Sequence, residues 1–255
     1  MSLPKEQFIS EYLDHIGYTG NAKPCLETLV ALQRCHLFSV PFENLDLLRP
    51  GFVPCVDRNY LFEKIVRNKR GGVCYELNTL FYHLLDALGF QVCQISGRCM
   101  LDTPLTGHVF TLVTLEQGRY IADVGFGDDA VPPLNIDGTP VEAYHARYWI
   151  EPDKEAEGLL RLFLQRPGQE PDFQYQFGLT PRTQEDYMDT FRFSATPGNT
   201  PFSVRHICCR FTPEGKILLR RSVLTVEEYN QVVQSFPVAD GEEIELCLRR
   251  YFDLP

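Results

Sequence analysis

The chain has 255 residues, enough for two or three compact units sharing a core, and its 44% hydrophobic and 23% charged residues exclude a disordered protein. A formal net charge of −10 disfavours general polyanion binding, so nucleic acid is not an expected partner, although a local basic spot could still hold a small phosphorylated molecule. Nine cysteines without a C-x-x-C pair indicate neither a zinc cage nor a complete disulfide framework; with no unbroken apolar core in Met1 to Tyr12 and no run of about 18 apolar residues, we expect a soluble, reduced, cytoplasmic protein with no membrane partner.

The first ninety residues read as helices. Phe8, Ile9, Tyr12, Leu13 and Ile16 form one stripe that stops at Gly17, and Pro24 opens a second helix carrying Leu26, Leu29, Val30 and Leu32. Pro41 breaks the helical pattern and leaves Glu43 and Asn44 inside an apolar run, where polar groups need assigned partners. A short third helix is expected over Tyr60–Val66. A fourth begins at Cys74, with Leu77, Phe81, Leu84, Leu85 and Leu88 at helical spacing and Gly89 as its stop.

After Gly89 the period changes to alternation. Strands are expected at Gln91–Arg98, His108–Leu115 and Tyr120–Val124, the last two joined by a turn around Gln117-Gly118, then at Tyr144–Ile150, Leu159–Gln165 and Phe173–Phe177. These suggest an antiparallel barrel or strongly bent sheet. A hairpin of Val204–Phe211 with Lys216–Arg221 follows. Two closing helices are expected from the capping-box spacings Thr225/Glu228 and Asp240/Glu243.

Chemistry concentrates at Arg70-Gly-Gly-Val-Cys74-Tyr-Glu76-Leu-Asn78, a loop that opens a helix. Cys74 lies in the first helical turn, at the positive end of the helix dipole, a setting that favours thiolate over thiol, and Gly71 and Gly72 let backbone approach closely in front of it. A cysteine nucleophile needs a base and a group to orient that base. Of six histidines, His108 stands apart by opening a strand after the turn-like stretch Asp102 to Gly107, and Asp123 is a carboxylate among apolar neighbours at a strand end. A Gln117-Gly118 turn would pair Leu115 with Tyr120, placing His108 and Asp123 on one face but Asp123 opposite Leu112, so that their contact would need a bulge or another strand neighbour.

The loop motif, the Pro41-Phe-Glu-Asn-Leu-Asp46 segment, His108 at a strand start and Asp123-Val-Gly-Phe-Gly127 together resemble the arylamine N-acetyltransferases. The resemblance runs from Tyr12 to about Asp128, with weaker echoes through Phe202 and the final hairpin. It implies an α+β fold of an N-terminal helical bundle (1–89), a central antiparallel β-barrel (90–189) and a C-terminal α/β lid (190–255) around a cysteine-protease-like catalytic core. It implies Cys74 as nucleophile, His108 as base and Asp123 as orienting acid, with no metal and no permanently bound cofactor. Acetyl-CoA would be the co-substrate and an arylamine or arylhydrazine the acceptor, in a ping-pong reaction through acetyl-Cys74. By the same resemblance Thr106, Gly107, Gly127 and Ser203 would offer donors to the CoA arm, and Phe38, Phe126 and Phe202 would wall the acceptor pocket. Arg70 and Glu43 read as an ion pair supporting the Cys74 loop. Val73 departs from the aromatic residue usual before the cysteine, which implies a wider or differently shaped pocket, and the chain is somewhat shorter than many members toward its C-terminus. Two other readings share these residues: a cysteine hydrolase or thioesterase, and a non-catalytic binding protein with a redox-sensitive Cys74.

Overall fold

The computed structural model describes residues 3–100 and 102–255; of the segment read for a leader, Met1 and Ser2 lie outside the described residues. Helices α1 (Lys5–His15), α2 (Leu26–Ser39), α3 (Arg58–Phe62, continued by a π turn through Arg67) and α4 (Cys74–Ala87) pack together as expected from their stripes. On α4, Leu77, Leu80, Phe81, Leu84 and Leu85 are wholly buried, and at about 1.5–3 kcal/mol per apolar side chain this face accounts for the helix's hold on the fold.

Eight strands form one antiparallel sheet. They are β2 (Gln91–Arg98), β3 (His108–Leu115), β4 (Gly118–Ala122), β5 (Leu134–Asn135), β6 (Val141–Ala143), β7 (Ala146–Pro152), β8 (Leu159–Gln165) and β9 (Asp172–Gly178). Their order is β5-β4-β3-β2-β9-β8-β7-β6, and β5 touches β7, so the sheet curls into a nearly closed barrel. Strand β3 is buried on both faces. Val109 and Val113 face the helical core, whereas Phe110 and Leu112 join Ile95, Ile121, Tyr175 and Phe177 inside the barrel.

A second antiparallel sheet has the order β1-β10-β11-β12-β13, from β1 (Phe42–Glu43), β10 (Ile207–Phe211), β11 (Gly215–Arg220), β12 (Val223–Glu228) and β13 (Gln231–Pro237). Strand β1 comes from the N-terminal part, so the Pro41 to Asp46 segment stitches the helices to this sheet through Phe42↔Cys209 and Glu43↔Cys208. The first of the two expected closing helices is instead the β12–β13 hairpin. Its Val and Thr content suits a pleated strand, and the Thr225/Glu228 spacing lies along β12 rather than at a helix start. The second is α6 (Glu242–Phe252), whose Ile244, Cys247, Leu248 and Phe252 pack on Cys208, Leu219 and Leu224.

One helix has no counterpart among the expected elements: α5 (Gln184–Ala195), between barrel and second sheet. Its signal is present in the chain. The Thr183 N–H donates to Asp186 Oδ2 (2.6 Å), and Tyr187, Phe191 and Ala195 repeat every fourth residue on its buried side. No helix among the described residues is long and apolar enough to cross a membrane.

Candidate active site

Cys74 is the first residue of α4, half-buried, with Gly125 directly against it: a Cβ on Gly125 would stand 2.8 Å from the Cys74 Cα. Gly71 and Gly72 do allow close approach, but to the Pro41 segment and Glu76 rather than in front of Cys74: a Cβ on the first would collide with the Pro41 carbonyl oxygen and on the second would stand 2.7 Å from Glu76 Oε2. Glu76 reaches back to accept from the Val73 N–H (3.1 Å), closing the helix start from one side. The Val73 side chain is buried in the main core rather than displayed.

His108 and Asp123 meet directly, His108 Nε2 to Asp123 Oδ2 at 2.6 Å. The gap expected between them arises from the turn. The hairpin turns on Glu116-Gln117, pairing Leu115 with Gly118 and Leu112 with Ile121, so Asp123, just past β4, comes opposite Phe110 instead of Leu112. That shift of two residues keeps both side chains on the barrel-interior face and brings them within reach. Asp123 Oδ1 accepts from Asn78 Nδ2 (2.8 Å) and from the Gly125 N–H (2.9 Å).

Asn78 has no part assigned to it by sequence alone. It stands one turn after Cys74 on the same side of α4, donates also to the Val109 carbonyl (2.8 Å) and accepts from the Val124 N–H (2.8 Å), locking the helix to both strands. The i, i+4 spacing of Cys74 and Asn78 is the signal available for it.

The electrostatics follow from this packing. His108 and Asp123 are 2% and 1% exposed. Burial pulls His108 toward the neutral form, but the Asp123 carboxylate overrides it and, with the Cys74 side chain acting in the same direction, holds the imidazole protonated well above its ordinary range. Burial likewise opposes ionisation of Asp123, and the facing His108, Asn78 and the Gly125 N–H outweigh it and keep the carboxyl low. Tyr175 and Phe126 pack their rings on His108 at 5.1 and 5.6 Å.

Beneath the Cys74 loop lies a second charged cluster. Arg70 pairs with Glu43 (2.7 Å), as expected, and reaches Asp46 (3.3 Å); Lys64 bridges Asp46 (2.8 Å) and Glu76 (2.7 Å). Burial opposes the charge on Lys64, yet Glu76, Glu43 and Asp46 hold it protonated above its ordinary range. Sequence does not single out Lys64, because nothing local reveals that it is buried.

The other predicted positions divide. Phe126 packs on His108, and Phe202 packs on Phe42 (6.1 Å), whose backbone bridges Gly72 of the Cys74 loop. Phe38 is elsewhere: its ring meets Tyr144 (6.1 Å) and lines a separate groove. Phe42 lies beside Phe202 instead, with Gly127, at φ +84°, so close that a Cβ would be 2.9 Å from the Phe42 ring. α2 ends at Ser39, so Phe38 belongs to a different surface from the extended Phe42. The Thr106 hydroxyl is engaged with Thr190 (2.6 Å) and its carbonyl with Tyr75 Oη (2.9 Å), and the Ser203 hydroxyl donates to the Thr200 carbonyl (3.1 Å). The Gly107 N–H donates to the Pro104 carbonyl (3.0 Å). Asn44 clamps the Phe202 loop, its Nδ2 donating to the carbonyls of Phe202 (2.6 Å) and Arg205 (2.7 Å) while its Oδ1 accepts from the Ile207 N–H (2.8 Å).

A cysteine at a helix start, a histidine opening one strand and an aspartate just past the end of the next come together beside this barrel, and the comparisons assign the chain's class. The N-acetyltransferase family profile matches residues 25–255. The arylamine N-acetyltransferase of Escherichia coli K12 is 30% identical over 253 residues, covering 96% of this chain and 88% of that protein. The solved arylamine N-acetyltransferase from Salmonella typhimurium superposes with a TM-score of 0.89 at 29% identity, covering 97% of this chain and 91% of that one. That of Mycobacterium marinum, in complex with CoA, gives 0.87 at 27% identity, with 96% and 92% covered. The chain belongs to the arylamine N-acetyltransferase family of acyltransferases.

Proposed function

We propose that the protein transfers an acetyl group from acetyl-CoA to an arylamine or arylhydrazine by a ping-pong reaction through acetyl-Cys74. The observation that carries this reading is the buried His108–Asp123 contact, which keeps an imidazolium beside Cys74. With Nε2 taken by Asp123, Nδ1 is the nitrogen left to face the sulfur. The proton lost by Cys74 resides on His108, and the Cys74 sulfur attacks the thioester carbonyl. His108 returns that proton to the departing CoA sulfur. The acceptor nitrogen then attacks acetyl-Cys74, His108 takes the nitrogen's proton, and the amide leaves with the Cys74 sulfur restored. The first-turn N–H groups of α4, at the positive end of the helix beside Cys74, would stabilise the oxyanion, the Gly125 N–H being committed to Asp123.

In this reading Asp123 orients His108, Asn78 and Gly125 hold Asp123, and Arg70 and Glu43 support the loop. Residues 1–89 contribute the nucleophile, 90–189 the base and acid of a cysteine-protease-like core, and 190–255 a lid. Phe126, Phe202 and Phe42 wall the acceptor side. Gly127 and the separate loops of Thr106-Gly107 and Ser203 would border the CoA arm, with both hydroxyls, the Thr106 carbonyl and the Gly107 N–H already engaged within the protein. The free cysteines suit a reducing cytoplasm.

The test is intact-protein mass spectrometry after brief exposure to acetyl-CoA, with peptide mapping and later addition of 4-anisidine. An acetyl-sized gain on Cys74 that survives in water and is discharged by the amine supports the proposal. Discharge at the same rate without amine replaces it with a hydrolase, and no adduct on an alkylatable Cys74 points to another acyl donor.

A further inference from the structure

A groove of about 1120 Å³ opens where α2, the barrel and the β12–β13 hairpin come together, and none of Cys74, His108 and Asp123 lines it. One wall is a stripe of α2, Val30, Arg34 and Phe38, spaced four residues apart; the facing wall is the β6–β7 turn with Tyr144 and Arg147. We infer that this groove is a second binding site, for a planar aromatic ring carrying a carboxylate, separate from the acetyl-transfer site.

Charge is the first support. In a chain of net charge −10, the groove gathers Arg34, Arg147 and Arg166 against the single carboxylate of Glu142. Arg166 is committed to Asp129 at 2.5 Å. Arg147 stands 3.8 Å from Glu142 with both side chains more than half exposed, a contact of little strength. Arg34 has no carboxylate within 4.0 Å among the described residues, so a ligand anion has two cations to meet. An arginine fork matches a carboxylate in shape as well as charge.

Flat surface is the second. Phe38 and Tyr144 stand edge to face across the floor, and Tyr229 closes the rim, offering faces on which a ring can stack. The third is the choice of turn residues. Tyr144, His145, Tyr229 and Asn230 all have φ between 47° and 63°, in two-residue hairpin turns that ordinarily take Asn-Gly. These four residues meet at the groove: the His145 and Tyr229 rings are 4.9 Å apart and Asn230 Nδ2 donates to the His145 carbonyl (2.8 Å). The Arg221-Ser222 hairpin turn, away from the groove, has the same backbone, so what sets these two turns apart is that Tyr144, His145 and Tyr229 put rings at the groove where small residues would ordinarily stand. The groove also exceeds the few hundred Å³ needed for a small aromatic ligand.

The experiment uses 2-naphthoate, which has the ring and the anion but no amine to acetylate. Its binding to the full chain is measured by calorimetry, alone and with saturating CoA, and repeated with the R34A/R147A double variant; both arginines are exposed, and acetyl transfer by the variant is the control for folding. Saturable binding that survives CoA and weakens at least ten-fold in the variant is the expected result. No saturable binding, binding unchanged in the variant, or displacement by CoA each overturns the proposal.

Discussion

Two histidines in different regions of this molecule are almost equally buried, yet their surroundings push their pKa values in opposite directions. His36, in the α1–α2 core, is wholly buried and shares its Nδ1 with the Tyr12 hydroxyl (2.9 Å); His108 is 2% exposed and shares its Nε2 with Asp123 (2.6 Å). Burial, with a smaller push from His15, drives His36 down to about 3, while His108 rises above its ordinary value. The partner, not the depth, decides. A phenol leaves the desolvation penalty on the cation uncompensated, whereas a carboxylate 2.6 Å away more than offsets it, and only the second histidine is ready to hold a proton taken from sulfur.

The comparison breaks most completely if His108 is made to resemble His36. Asp123→Asn keeps the shape but removes the anion, and by analogy with orienting carboxylates elsewhere kcat/KM should fall about 10⁴-fold, near 5 kcal/mol. NMR titration of the His108 ring should move from above to below its ordinary value near 6.5. A D123N variant whose His108 still titrates high would show that Asp123 is not the source of the charge.

Next in size is the cluster that holds charge without doing chemistry. Lys64→Met strands Glu76 in the interior and takes one of three cations from Asp46, which keeps Arg49 and Arg70, and the expected loss is about 3–5 kcal/mol of stability in urea unfolding. The rate of Cys74 acetylation in the folded fraction should change by less than about ten-fold, because no reacting atom is touched. A collapse of that rate with stability intact would move Lys64 into the chemical machinery.

His36 itself gives the third. Its folded value is depressed, so above about pH 6.5 it is neutral in both states and contributes no pH dependence. As pH falls below 6.5 the unfolded chain takes up a proton that the folded chain refuses until about 3, and stability should drop by about 1.4 kcal/mol per pH unit from this group. His36→Gln removes that slope between pH 6 and 4. His108 has the opposite sign: its contribution is whole below pH 6.5 and is lost as pH rises through its raised folded value. An acid limb equally steep in the His36 variant would assign the slope to other groups, among them His15, His83 and His206, whose folded values burial also lowers.

The smallest effect concerns a residue that orders the pocket and bears no charge. Asn44→Ala frees the carbonyls of Phe202 and Arg205 and the Ile207 N–H, at a cost of about 1–3 kcal/mol. With the Phe202 loop loosened, KM for the amine should rise and hydrolysis of acetyl-Cys74 should quicken, while acetylation of Cys74 by acetyl-CoA is nearly unchanged. Equal slowing of both half-reactions would count against a role confined to the loop.

Much of this is legible in the chain. The start of α4 at Cys74 and the strand opening at His108 rest on local spacing, since helix or strand period is a property of a few consecutive residues, whereas the Arg70–Glu43 pair, 27 residues apart, is read beside the family resemblance and not from period. Long-range facts are not. Whether Asp123 reaches His108 depends on a two-residue difference in the β3–β4 turn, which alternation cannot detect because it preserves the face of every side chain. Phe38 and Phe42 look alike in sequence; the end of α2 between them sends one to the groove and the other to the site. The hydroxyls of Thr106 and Ser203 are free in sequence and engaged in the fold. The residues themselves determined which groups could do the chemistry and which elements carry them. Only the tertiary structure decided which groups meet and which is charged, because register, burial and the partner across a contact are set by parts of the chain far removed in sequence.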